Sequence, residues 1–306
     1  MKLINKEVRI ETTNICQAKC TICPREKMTR PLGIMLFEQF TELVDQAVSL
    51  GAETISLFGY GEPLLDPRLA DRVAYCTKRG LKTFITTNGA LLSMDNALEL
   101  LEAGLSSIRF SVHGLWAMDY EKVHGGIKFF DTIRNIFNFI HLNRRAKNGH
   151  SCETNVSVIP MHHERLEDIQ KMWEPHVDYL EVWKPHNWTD GRTFREPCRK
   201  KTTCGRPAKG PVQINWDGRA IVCCFDYDAQ LIVGDTYMQT IEEILKGNEY
   251  QVIRNRHASG DLEGLICDNC DQLNEYTEED SPLLYSSKDK DRQLDCTSST
   301  KFKLID

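Results

Sequence analysis

The chain has 306 residues, 41% of them hydrophobic, and a formal net charge of -6. That length buries the core of one large domain plus a small one, and the negative balance excludes a general electrostatic pull toward nucleic acid. Mean hydropathy is -0.41 and no apolar run reaches 18 residues, which excludes a helical membrane span and a membrane partner.

The opening stretch, "MKLINKEVRIETT", lacks the apolar core of a secretory signal. The expected location is therefore cytoplasmic, where disulfides are rare. Twelve cysteines then need another explanation. Cys76 and Cys152 stand alone and read as small buried apolar residues. The others fall in clusters with regular gaps and read as metal ligands.

In chain order, β-rich runs at 7–13, 54–59, 82–87, 106–112, 153–159 and 177–183 alternate with helical patterns. The runs are β-branched or aromatic and almost continuously apolar, as strands buried on both faces are. Phe37, Phe40, Leu43, Val44, Ala47 and Leu50 recur at helical spacing, and so do Phe129, Phe130, Ile133, Ile136, Phe137 and Ile140. These stripes are core-facing. Six β/α units in a row predict an α/β fold with a parallel sheet curled into a partial (β/α)6 TIM-like barrel over 1–195. Ligands of such sheets sit at the C-terminal ends of the strands. The motifs fall there: three cysteines after the first strand, Gly59-Tyr60-Gly61-Glu62-Pro63 after the second, Thr86-Thr87-Asn88-Gly89 at the third and Ser111-Val112-His113-Gly114 at the fourth.

Beyond residue 196 the pattern changes. "GPVQINWDGRAIVCCFD" predicts a hairpin around Trp216-Asp217-Gly218. A helical segment and Cys267-Asp-Asn-Cys270 follow, giving a small extension over 196–275. Residues 276–306 are polar and serine-rich and read as a loose tail.

Cys16, Cys20 and Cys23 form C-x3-C-x2-C. Three thiolates on one short loop can hold three corners of a [4Fe–4S] cube and leave the fourth iron open. A zinc site is the alternative and needs a fourth ligand. The half-fingerprint Gly59-Tyr60-Gly61 is not dinucleotide-binding, because position 64 is Leu.

On these residues the chain resembles the radical S-adenosylmethionine (SAM) superfamily. The resemblance implies a [4Fe–4S] cluster on Cys16, Cys20 and Cys23, with SAM chelating the open iron. Reductive cleavage then yields a 5′-deoxyadenosyl radical that takes a hydrogen atom from a substrate C–H bond. It implies a flavodoxin- or ferredoxin-type electron donor. Glu62, in a segment similar to the family's GGEP motif, would accept the SAM amino group, a charge-assisted bond. Thr87 and Asn88 would face SAM, Ser111 and His113 the ribose, and Asn155 and Val158 the ribose and adenine.

The spacing Cys204-x13-Gly218-x4-Cys223, followed by Cys267-x2-Cys270, resembles the SPASM and Twitch extensions of that superfamily. It implies a second, fully ligated [4Fe–4S] cluster on these four cysteines, with a structural zinc ribbon as the alternative. No further cysteine closes the pattern in the ten residues after Cys270, which points to the smaller Twitch form. Cys198 lies 19 residues from Gly218, outside the pattern. Cys224 adjoins a ligand and would face away from the cluster. It is either a packed residue or a catalytic hydrogen-atom donor. "KPHNWTDGR" (184–192) is placed at the junction, where Trp188 lines the substrate pocket or packs the joint. The expected reaction is dehydrogenation of a small polar substrate or modified nucleoside, with the auxiliary cluster taking an electron. Epimerisation or rearrangement of a sugar, aminocyclitol, peptide or nucleoside is the alternative, and a non-catalytic electron carrier is a third reading.

Overall fold

A computed structural model describes residues 1–145, 152–161, 164–190, 192–196, 199–277 and 281–288. Cys198 and Cys296 lie outside the described residues.

Six parallel strands form the barrel wall: β1 (Glu7–Ile10), β2 (Thr54–Ser56), β3 (Lys82–Thr87), β4 (Ser107–Ser111), β5 (Glu153–Val158) and β6 (Tyr179–Trp183). Helices α1 (Phe37–Ser49), α2 (Leu69–Lys78), α3 (Met94–Glu102), α4 (Ala117–Val123), α5 (Phe129–Arg145) and α6 (Leu166–Trp173) connect them. Each strand buries alternate residues against the helices. Val8, Ile10, Ile55, Ile85, Ile108, Phe110 and Val156 are all fully buried. The stripe on α1 packs as its spacing predicts, through Phe40, Leu43, Val44 and Ala47. On α5 the stripe is rotated. Phe130 is 74% exposed, and Phe139 takes the core position against Phe110 instead.

The opposite faces of the strands are not apolar. Glu7 and Arg9 of β1, Arg109 of β4, Asn155 of β5 and Glu181 of β6 point into the barrel. The wall is therefore one-sided, with an apolar outer face and a polar lumen, and the strands alternate with period 2.

The hairpin after residue 210 forms at the predicted place, as β7 (Val212–Ile214) and β8 (Arg219–Ile221). It joins the main sheet. β7 lies parallel to β1, with Val8 opposite Val212, and β9 (Ile232–Asp235) extends the edge. At the other edge β10 (Leu283–Ser286) pairs antiparallel with β6. This corrects the reading of 276–306 as a loose tail. Leu283, Leu284 and Tyr285 supply the short apolar run that an edge strand needs. The ten strands run in the order β9-β8-β7-β1-β2-β3-β4-β5-β6-β10. The extension closes with α7 (Ile241–Lys246) and α8 (Asn248–Ser259). No helix among the described residues is long and apolar enough to cross a membrane.

Candidate active site

The end of β1 organises the site. Glu11 and Arg30 form a bidentate pair, with both contacts at 2.6 Å and both side chains buried. A buried pair repays its desolvation only when its remaining polar atoms are bonded. Here Tyr60 donates its backbone N–H to Glu11 at 2.9 Å, and Arg30 Nε donates to the Tyr227 carbonyl at 2.9 Å. One ion pair thus ties together the cysteine loop, the Gly-Tyr-Gly turn and the extension. Nothing in the sequence pattern singled out either residue.

Between Glu11 and Arg30 the chain makes the loop that carries Cys16, Cys20 and Cys23. Lys19–Cys20 pairs antiparallel with His124–Gly125, and a one-turn helix begins at Pro24. The three thiols lie near enough to feel one another's charge. Burial, followed by the charge of the neighbouring cysteines, pushes Cys20 up, and burial pushes Cys23 to about 11. Thiols buried together like this are held as thiolates by positive charge placed among them, and a metal cluster supplies such charge.

Glu62 stands across from this loop. Gly59 and Gly61 are required by close approach. A Cβ on Gly61 would lie 2.7 Å from the Thr13 carbonyl carbon and 2.9 Å from Asn14 Cα, and one on Gly59 would lie 2.8 Å from Glu11 Cβ. This contact lets Glu62 N–H reach the Ile15 carbonyl at 2.8 Å, beside Cys16. The carboxylate is 2% exposed. It accepts from Thr87 Oγ1 at 2.6 Å, Asn88 N at 2.9 Å and Leu64 N at 3.2 Å. Burial outweighs these bonds and raises its pKa to about 7. Thr87 and Asn88 therefore hold Glu62. Asn88 Oδ1 also accepts from Gln17 Nε2 at 3.1 Å, which links Asn88 to the cysteine loop.

Of the other predicted contacts, Ser111 ends β4 half-buried, and Asn155 faces the lumen with its Oδ1 unpartnered. Val158 does not fit its expected role. Its side chain shares the helix-facing parity of Thr154 and Val156 and is fully buried in the core. His113 is 8% exposed and accepts from Ile159 N–H at 3.1 Å, and burial holds its pKa at about 3. It is a neutral joint between β4 and β5. His124, stacked on it at 4.8 Å, was missed, because a lone His-Gly in a loop carries no spacing.

Cys204, Cys223, Cys267 and Cys270 line one cleft in the extension, with Phe225, Leu231 and Leu273 as its apolar wall. Burial pushes Cys267 to about 11 and Cys270 to about 12, and the nearby Cys204 adds to both shifts. His257, whose buried Nε2 has no partner, lines the same cleft. Four thiols and an orphaned imidazole nitrogen suit a bound metal cluster. Cys224 lines the lumen beside Cys223, and its Sγ lies 3.5 Å from Arg206 and 3.7 Å from Arg9. The hydrogen bond from Cys223 and the two guanidinium groups push its pKa down.

The lumen is a cavity of about 1080 Å³, capped by Tyr60, His186, Trp188, Cys224 and Phe225. Trp188 adopts a left-handed φ of 57°. Its indole N–H donates to the Ile22 carbonyl at 2.9 Å, and its own carbonyl accepts from Asp271 N–H at 2.8 Å. It therefore bridges the loop of Cys20 and Cys23 to the loop of Cys267 and Cys270. Trp188 thus lines the cavity as well as packing the joint.

The model of the radical SAM superfamily matches residues 10–179, more than half of the chain. The chain belongs to the radical SAM superfamily. A second model, of the SPASM iron–sulfur cluster-binding domain, matches residues 204–271. It is thus a radical SAM enzyme with a C-terminal SPASM domain, and these two domains imply SAM and two [4Fe–4S] clusters as cofactors.

A tungsten-containing aldehyde ferredoxin oxidoreductase cofactor-modifying protein of Pyrococcus furiosus is 32% identical over 108 residues, covering 35% of this chain and 30% of that one. A GTP 3′,8-cyclase of Synechococcus is 36% identical over 122 residues, covering 39% and 35%. The chain thus spans about a third of these relatives. A probable GTP 3′,8-cyclase of Sulfurisphaera tokodaii is 22% identical and covers 75% of this chain and 84% of that one. Among solved structures, BtrN in complex with AdoMet and 2-DOIA superposes with a TM-score of 0.63 at 19% identity, over 93% of this chain and all of that one. That likeness supports the fold.

Proposed function

We infer that this enzyme removes a hydrogen atom from a small polar substrate held in the barrel lumen and completes its oxidation by passing an electron to the auxiliary cluster. One observation carries this reading. At the cap of the lumen Trp188 donates to the Ile22 carbonyl, between Cys20 and Cys23, and Phe225, which the lumen shares with the second cysteine cleft, adjoins Cys223 and Cys224.

When bound at Cys16, Cys20 and Cys23, the cluster and SAM supply the 5′-deoxyadenosyl radical. Glu62 fixes the SAM amino group as a buried acceptor, and Thr87, Asn88 and Leu64 hold its carboxylate in place. Cys204, Cys223, Cys267 and Cys270 hold the auxiliary cluster. Arg9, Arg109, Asn155 and Glu181 give the lumen hydrogen-bonding groups for a hydroxylated or charged substrate. Loss of a hydrogen atom, an electron and a proton is a two-electron oxidation. His186, which lines the lumen with Nδ1 3.3 Å from the buried carboxylate of Asp271, is placed to take the proton. The reductant is a flavodoxin- or ferredoxin-type donor. Cys224 is a wall residue under this reading.

The test is an anaerobic screen of polar metabolites for substrate-dependent 5′-deoxyadenosine formation. A product two mass units lighter than its substrate supports oxidation. A product of the substrate's formula that comes out one mass unit heavier when made in deuterated water would make the enzyme an epimerase with Cys224 as donor, and an isomer without deuterium would make it a mutase.

A further inference from the structure

His124 faces Cys20 across the short antiparallel ladder of Lys19–Cys20 and His124–Gly125. A third rung, from Thr21 N–H to the Val123 carbonyl at 3.0 Å, extends it. A Cβ on Gly125 would stand 3.0 Å from the Lys19 carbonyl oxygen, so a glycine allows the ladder to close this tightly. The ladder sets the imidazole beside the thiol, with Nδ1 3.5 Å from Cys20 Sγ.

The other ring nitrogen decides which one carries the proton. His113 donates its backbone N–H to His124 Nε2 at 2.9 Å. An N–H donor needs a lone pair to receive it, so Nε2 is bare. A neutral imidazole has one N–H, which must then be on Nδ1, pointing at the sulfur. The ring cannot turn away. His113 stacks on one face at 4.8 Å and 8°, and Tyr120 on the other at 4.3 Å and 25°. His124 is 1% exposed, so water does not compete for the bond. Cys16 and Cys23 receive backbone hydrogen bonds from Ala18 and Arg25. For Cys20 the donor is a side chain.

We propose that His124 is a positioning residue that donates an Nδ1–H···S hydrogen bond to Cys20 and raises the reduction potential of the SAM-binding cluster. The proposal rests on the reading of Cys20 as a cluster ligand. A hydrogen bond to a ligand sulfur stabilises the more negative, reduced cluster over the oxidised one. Its loss makes the cluster harder to reduce.

The test compares wild type, His124→Phe and His124→Gln as cluster-loaded protein. Phe keeps the stacked ring and removes the donor. Gln keeps an acceptor for His113 N–H and a donor for the sulfur. Midpoint potentials come from an EPR-monitored titration, with the relevant cluster identified by its spectral response to SAM. Pulsed EPR on 15N-histidine-labelled protein reads the contact directly. The expected result is a wild-type 15N coupling that His124→Phe abolishes. His124→Phe should also show a reduced-to-oxidised ratio about tenfold lower at fixed potential, a midpoint shift of about 59 mV for one electron. His124→Gln should lie closer to wild type. Unchanged potential in His124→Phe, or no 15N coupling in wild type, overturns the proposal. Equal loss of iron from both variants also overturns it, since the role is then packing. If Cys20 is not a ligand at all, no SAM-responsive cluster forms in wild type, and that failure is separate from the others.

Discussion

Glu62 is a buried carboxylate with no cation beside it, and Glu62→Gln should make the SAM-free protein more stable while weakening SAM binding. Its pKa is about 7 in the fold against an ordinary 4.5. The raised value means that folding favours the protonated form. The stability is fully present below pH 4.5 and is lost as pH rises toward 7. The full cost above that range is about 3 kcal/mol, from 1.36 kcal/mol per unit. About 2 kcal/mol of it is already present at pH 6, so about 1.4 kcal/mol more accrues by pH 8.5. Glutamine removes the charge. Its Oε1 can still accept from Thr87 and Leu64, but its NH2 then confronts the Asn88 N–H, a loss of about 1 kcal/mol. The net gain is about 2 kcal/mol at pH 8.5 and less than half of that at pH 6. In a chain of this size the first figure is a melting temperature higher by about 4 °C. SAM affinity should fall roughly tenfold to a hundredfold, because a charge-assisted bond of about 1.5–3 kcal/mol is gone. Thermal unfolding of cluster-loaded, SAM-free protein at the two pH values, with SAM binding by calorimetry, measures both effects. A variant that melts below wild type at pH 8.5, an advantage that does not grow with pH, or unchanged SAM affinity would refute the reasoning.

Other substitutions probe the surrounding geometry. Gly61→Ala drives a Cβ into the Thr13–Asn14 backbone. The Glu62 turn must retreat by about 1 Å to restore carbon contacts, and SAM-dependent turnover should fall by about 10²-fold with iron content unchanged; retention of full turnover would contradict the close-approach argument. Trp188→Phe keeps a ring in the lumen cap but loses the bond to the Ile22 carbonyl. It should lower thermal stability by about 1 kcal/mol and raise the substrate KM, checked by melting curves and kinetics. Cys224→Ala should retain most turnover at a stability cost of about 1 kcal/mol, and a variant that consumes SAM without forming product would instead make Cys224 the hydrogen donor.

The parts legible in the sequence are those whose chemistry depends on spacing. C-x3-C-x2-C and the Gly-Tyr-Gly-Glu-Pro turn fell at strand ends because the β/α rhythm located those ends, and the cysteines of the extension stood out by their own spacing. The polar lumen was hidden because Val8, Ile10, Ile108 and Phe110 dominate their strands, while Glu7, Arg9 and Arg109 alternate with them over only four or five residues. The pairing of β7 with β1 joins residues about two hundred positions apart, and no local pattern encodes it. β10 was lost in the composition of the tail around it. Glu11, Arg30, His124 and the backbone of Trp188 act through partners distant in sequence, so only the fold brings out their roles.

The central claim is that the first cysteine loop runs SAM chemistry while the extension holds a separate cluster. The most direct measurement is iron content and dithionite-driven 5′-deoxyadenosine formation, made side by side on wild type and on Cys16→Ala, Cys20→Ala and Cys23→Ala. The account predicts about eight irons in wild type, two cubes of four, and about four in each variant with no 5′-deoxyadenosine. Formation of 5′-deoxyadenosine in any of the three variants, or about four irons with stoichiometric zinc in wild type, would contradict it.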